Sequence, residues 1–421
     1  MLAWFSEPGY SARVRLFLLP LLLLAARASF ALAEPAGYMV ERALTLAGDN
    51  RAELTKALSA VPEAQREGMD FLIANMPIDD LRCLTAGFLR ENTALAYAAR
   101  AAAPWSAQIP EEIFLNDVLP YASLNERRDD WRRRLREIAA PLIAECKTPG
   151  EAAQALNRGL FRSVKVRYST KRQKADQSPF ESMESGLASC SGLAILLVDA
   201  CRAVGVPARV AGTPMWTNMH GNHTWVEVWD GGWHFLGASE PDAQGLDRGW
   251  FKGDAAKALR DVPQHAIYAS SFRRTGLSFP LVWDRDIHWV SAVNVTDRYT
   301  AAAPAPDGQV RLLVRVLDRA GRRIAAQVTV TDPADAALKM AGTSRDETAD
   351  LNNLLPFLLA PKHAYKLRVE HEGQTQERKI TTSDKVGGEE TVVVTFAAQA
   401  GKSTAPPVPD ENSFRRAGRG A

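Results

Sequence analysis

One stretch of the 421-residue chain holds the residue types of a nucleophilic site: Cys190, then His223, then an acid at Glu240, with Asp242 as second choice. A thiolate attacks an acyl carbon, an imidazole takes and returns a proton, and a carboxylate orients the ring. The chemistry this order predicts is acyl transfer. Cys190 attacks the acyl carbon, His223 protonates the leaving group, and a thioester forms. Water or an amine then resolves it, and the sequence does not choose between these outcomes.

The elements around these residues suit that reading. Leu193-Ala194-Ile195-Leu196-Leu197-Val198 continues an apolar run that opens at Cys190 and stops at Gly205. This predicts a buried helix with Ser189 as N-cap and Gly205 just past its end. Cys190 would then lie in the first turn, where unpaired N–H groups and the helix dipole favour thiolate over thiol. Val206 to Val210 reads as a strand, and Asn222 to Trp229 as another, with His223, Trp225, Glu227 and Trp229 sharing one face. Asp230-Gly231-Gly232 is a hairpin turn and Trp233 to Leu236 the return strand. The Cys190 N–H is the natural oxyanion donor, with Gln177 or Asn222 as candidate side-chain donors.

GLASCSGLAILLVDACRAVGVPARV followed by GNHTWVEVWDGGWHF resembles the transglutaminase-like (transglutaminase/protease) superfamily. The resemblance covers about 150–245 and implies a papain-like α/β core that transfers acyl groups from amides of peptides or proteins. It carries Cys190 and His223 into catalytic roles. The family's Asp-Pro, four residues after the Trp, is here Gly237, and Glu240-Pro241 follows three residues later. A longer turn is needed to bring Glu240, or Asp242, to the ring. The alternative is a catalytically inactive binding or scaffold protein that keeps the fold. Removal of glycans from asparagine follows only from kinship of fold.

Composition bounds the rest. A net charge of +2 and 24% charged residues predict a soluble globular chain with no nucleic-acid partner. Arg13 and Arg15 precede an apolar run at 16–26, and Ala31-Leu32-Ala33 stands before Glu34. Residues 1–33 therefore read as a signal peptide of an exported (periplasmic or extracellular) protein. The run is too short for a spanning helix, so no stable membrane insertion is expected after its removal. Cys190 and Cys201 would sit roughly 16 Å apart on one helix, too far to bridge, while Cys83 and Cys146 could pair. His220 and His223 fall on opposite faces of a strand, and no Cys-x-x-Cys accompanies them. This argues against zinc, and no metal or cofactor is expected.

The expected architecture is α+β, in five parts. Residues 34–149 read as a helical region with segments at 53–60, 64–75, 81–90, 94–103 and 129–146. The core domain spans 150–290. Short alternating strands over 291–397, the first at Val290 to Thr296, predict an all-β sandwich, with an Ala/Pro linker at 301–306 after that first strand. Residues 398–421 should be disordered. Pro110 to Leu115 reads as loop, Arg162 to Lys174 as a basic, partly strand-like segment, and Arg127 to Arg134 as a solvated, salt-bridged face. The oligomeric state is not legible.

Overall fold

Proline and polar caps divide the first part of the chain into short helices. The computed structural model describes residues 36–301 and 308–396. The expected leader, the tail and the linker beyond Ala301 lie outside them. Helices α1 (Ala36–Leu46), α2 (Arg51–Ala60), α3 (Arg66–Asn75), α4 (Ile78–Cys83) and α5 (Ala86–Ala102) come first. The expected break near 91–93 is absent: α5 runs unbroken, because its start is fixed upstream at Thr85, whose side chain accepts from the Phe88 N–H. The expected loop at 110–115 is mostly helix α6 (Glu111–Asp117), entered from Pro110 with two acids in its first turn.

Helix α7 (Trp131–Ala139) gives way to a 3-10 turn at Ala140–Ile143, where Pro141 lacks the N–H an α-helix needs. Helix α8 (Pro149–Val164) starts from a Thr148/Glu151 capping box and ends at left-handed Lys165, so the strand-like segment begins later than its composition suggests. The arginine run is also not one solvated face. Arg132 is buried, and its Nη2 donates to the carbonyls of Val118, Leu119 and Pro120. Burial and nearby Arg202 push its pKa down to about 9.

Strands β1 (Arg167–Tyr168) and β2 (Leu187–Ala188) pair in parallel around helix α9 (Pro179–Ser185). Helix α10 (Cys190–Ala203) follows, buried along its length from Ser191 onward. Burying each Leu, Ile or Val side chain of such a helix contributes about 1.5–3 kcal/mol at most. Strands β3 (Ala208–Thr213), β4 (His223–Trp229), β5 (Trp233–Leu236), β6 (Tyr268–Ser270), β7 (Leu277–Ser278) and β8 (Ser291–Asn294) form one sheet in the order β5-β4-β3-β6-β8-β7. Helices α11 (Lys252–Ala255) and α12 (Thr296–Thr300) lie in the connections. The strand expected to open the C-terminal sandwich is thus β8 of this sheet, paired with β6 and β7. Its Ala292 is fully buried in the main core.

The C-terminal strands β9 (Val310–Leu317), β10 (Gln327–Asp332), β11 (Asp335–Thr343), β12 (Leu355–Leu359), β13 (Ala364–His371), β14 (Gln374–Thr381) and β15 (Glu389–Thr395) make two facing sheets, β11-β10-β13-β14 and β12-β9-β15. Alternate residues of β9, β10 and β13 (Val314 and Val316, Val328 and Val330, Leu367 and Val369) meet in their core. The sandwich docks on helix α11 through Arg311, which bridges Asp254 of that helix (3.1 Å) and Glu389 of β15 (2.9 Å). All told the fold is α+β. Among the described residues no helix is long and apolar enough to cross a membrane.

Candidate active site

The nucleophile's position is set by the entry to α10. Ser189 is extended, and its Oγ accepts from the Gly192 N–H (3.1 Å) and donates to the Ala175 carbonyl (2.5 Å). This satisfies one of the free donors of the first turn and leaves the Cys190 amide at the helix mouth. A Cβ on Gly192 would stand 3.1 Å from that of Ala188, so the first turn packs directly on β2. Ser191 and Thr224 share a hydroxyl hydrogen bond of 3.0 Å, tying the helix start to β4 one residue from His223.

His223 opens β4, opposite Thr213, and is 3% exposed. Aromatic rings fix its plane. The Trp250 ring centre is 4.7 Å away, Phe251 5.0 Å and Trp225 5.8 Å. Behind Trp225, its Nε1–H donates to Tyr299 Oη, which donates to Glu227. Trp225 and Trp250 thus pack against the ring and hold it in place. Neither ring nitrogen of His223 makes a hydrogen bond.

The carboxylate facing the ring is Asp350. Its Oδ2 lies 3.6 Å from His223 Nδ1, an ion-pair distance just beyond hydrogen-bond reach. One ligand-type atom from each of Cys190, His223 and Asp350 lies within 4.8 Å of the others. Burial disfavours the imidazolium, but the Asp350 carboxylate, seconded by Cys190, outweighs it and pushes His223 up to about 10. Burial likewise opposes ionised Asp350, yet His223 and the Asn352 N–H hold it below the ordinary carboxylate value.

Asp350 belongs to the segment between β11 and β12. Arg323 Nη1 donates to its carbonyl (2.8 Å), the Leu351 N–H donates to Tyr168 Oη (3.1 Å), and Asn352 Nδ2 donates to the Asn222 carbonyl (3.3 Å). Sequence reasoning missed it because nothing in Asp346-Glu347-Thr348-Ala349-Asp350 distinguishes a polar inter-strand turn from a site. Its one signal is the residue type.

Neither Glu240 nor Asp242 pairs with the ring. Glu240 lines the same small cavity as Cys190, His223, Tyr168 and Asp350, but makes no hydrogen bond or ion pair with His223 among the described residues. The tight turn through left-handed Ser239 folds it back, so that Oε2 accepts from Trp250 Nε1 (2.9 Å) and Oε1 from Asn353 Nδ2 (3.5 Å). Burial raises its pKa to about 7, against the pull of His223. Asp242 is exposed and accepts from the Gln244 N–H. The Gln177 amide is fully buried and engaged with Glu181, Ser185 and Leu187, which leaves it no donor to offer the site. All four cysteines are free thiols.

No curated protein sequence matches the chain. A candidate cysteine protease from Cytophaga hutchinsonii is similar at 20% identity, over 27% of this chain and 40% of that one, with a TM-score of 0.23. Red sea bream transglutaminase is similar at 10% identity, over 66% of this chain and 65% of that one, with a TM-score of 0.28. The chain thus spans less than two thirds of the length of either. Residues 136–255, which hold both Cys190 and His223, match the model of the Transglutaminase-like superfamily, and the chain carries a transglutaminase-like core domain of that superfamily.

Proposed function

We propose that this chain is a cysteine-dependent acyl-transfer enzyme acting on amide bonds of peptides or proteins, exported by way of its N-terminal segment. The observation that carries the reading is the convergence of Cys190, His223 and Asp350 within 4.8 Å at the mouth of α10. A Cys190 thiolate adds to the amide carbonyl, and the oxyanion is met by the Cys190 N–H. The C–N bond breaks as His223 gives its proton to the leaving amine, and a thioester remains. Water attacks it with His223 as base and returns the free thiol and a carboxylic acid; an amine in place of water gives a new amide. Asp350 orients the imidazole and supports its charge.

The second reading is a scaffold that keeps the fold without turnover. It is favoured by closure of the site: His223 is 3% exposed, and the cavity over it is only about 20 Å³, room for a single water. The deciding experiment incubates the chain with a protein substrate and a biotinylated primary amine. Intact-mass analysis then looks for an acyl adduct on Cys190. The enzyme reading expects an adduct that Cys190→Ala abolishes, with hydrolysed or cross-linked product. Absence of any adduct across glutamine-rich and generic peptide substrates would leave the scaffold reading standing.

A further inference from the structure

We propose that Cys190, His223 and Asp350 also form a binding site for a thiophilic, four-coordinate divalent cation such as zinc or cadmium, not as a cofactor but as a reversible brake that pins the 344–354 segment onto the core. The braking part rests on the acyl-transfer reading above; the binding part does not.

The donor set selects the ion. A thiolate, an imidazole and a carboxylate are the three ligand types that zinc takes, and three protein ligands with one open position is an ordinary zinc arrangement. Calcium or magnesium needs six or more oxygen donors or a near-octahedral oxygen shell, and Asp350 is the one anionic oxygen donor among these three residues. The distances are close to sufficient. Tetrahedral zinc with bonds of about 2.0–2.3 Å sets its ligand atoms roughly 3.3–3.7 Å apart. Here all three donor atoms lie within 4.8 Å of one another, so a closure of about 1 Å completes the site.

A second, independent observation points the same way. His223 is 97% buried by its 3% exposure, yet both ring nitrogens lack a hydrogen-bond partner. A buried imidazole left this way forfeits its hydrogen bonds, and a metal bond to one nitrogen would recover part of that loss. The cavity that all three residues line has room for a body the size of one water, which is the space an ion between them would take.

The consequence follows from topology. Cys190 begins α10, His223 begins β4, and Asp350 comes from the C-terminal sandwich between β11 and β12. An ion held by all three joins the sandwich to the core. It also occupies the sulfur lone pair needed for attack, and the ring proton of His223 goes to solvent as the metal takes its nitrogen.

The test uses the full chain with Cys83 and Cys146 replaced by alanine, so that two accessible thiols outside the site do not compete. The chelator-treated protein is titrated with cobalt(II), and the thiolate-to-cobalt charge-transfer absorption and the visible bands of tetrahedral cobalt are recorded. The expected result is binding displaced by zinc. Affinity should fall at least about 100-fold in Cys190→Ser, and at least about tenfold in both His223→Ala and Asp350→Asn. Zinc should also slow hydrogen exchange at the Leu351 amide. If a variant does not fold, wild-type protein carboxamidomethylated at Cys190 provides the same control and must lose the charge-transfer band. Absence of the band in the unmodified chain overturns the proposal. So does wild-type affinity retained in both His223→Ala and Asp350→Asn, which would mean a lone thiolate. Thioester formation measured in chelator tests the acyl-transfer reading separately.

Discussion

His223 Nδ1 faces Asp350 Oδ2 at 3.6 Å, a residue of the core sheet against a residue from between two strands of the sandwich. Glu240, nearer in sequence, is instead held by Trp250 and Asn353. Asp350→Asn should therefore reduce acyl transfer on the order of 10⁴-fold, the scale for turning a triad carboxylate into a carboxamide. Glu240→Gln should cost less than about tenfold. The histidine NMR titration gives an independent readout. His223 is pushed up to about 10 in the wild type and should move down in Asp350→Asn, because burial is then opposed by Cys190 alone. Equal losses in both variants, with an unmoved midpoint, would return the orienting role to Glu240.

This division also marks what the sequence could and could not disclose. Ser189 as a cap, the α10 run, the His223 strand and the Gly231 hairpin are local patterns, each decided by residues a few positions apart. So is the shared face of His223 and Trp225, whose rings stack at 5.8 Å. Asp350 is a tertiary event: a turn docks by way of Tyr168 and Asn222, and no periodicity encodes that. Arg132 misleads for a related reason. Its neighbours alternate in charge like a solvated helix face, yet the carbonyls of 118–120 converge on it from another segment.

Stability should carry the signature of these three groups. Asp350 is depressed in the fold, so its contribution is present above the ordinary 3.8 and is lost as pH falls through its lower folded value. His223 is raised, so its contribution is complete below 6.5 and is lost as pH rises through about 10. Glu240 is raised from 4.5 to about 7, so ionising it in the fold costs stability progressively across that interval. The melting temperature of the wild type should fall from pH 4.5 to 7, and fall further toward 10. Glu240→Gln should flatten the first decline and Asp350→Asn the second. Profiles that superimpose on the wild type would show that these groups are not coupled to folding.

Ser189→Ala removes the acceptor for the Gly192 N–H and the donor to the Ala175 carbonyl. Loss of an N-cap costs about 1 kcal/mol, typically within 0.5–2. The variant should melt measurably lower in urea or heat. It should also alkylate more slowly at Cys190, because the first turn no longer holds its register. Ser189→Asp, which keeps an acceptor, should recover most of the stability. If alanine and aspartate behave alike, the cap is not what fixes the helix start.

Tyr168 tests whether the segment carrying Asp350 is held from the core side. Its Oη accepts the Leu351 N–H at 3.1 Å, one residue beyond Asp350, while Tyr168 itself lines the Cys190 cavity. Tyr168→Phe keeps the ring and removes that acceptor, leaving the Leu351 amide without its partner. Hydrogen exchange at Leu351 should accelerate. The His223 midpoint should move down, because the carboxylate that sustains it is less firmly placed. Acyl transfer should fall through kcat more than through KM, since the change acts through the orientation of the ring. Asn352→Ala, which cuts the link to the Asn222 carbonyl, should act in the same direction, and the double variant should exceed either alone. Unchanged exchange at Leu351 in both variants would mean that Arg323, which donates to the Asp350 and Ala349 carbonyls, is enough to hold the turn in place.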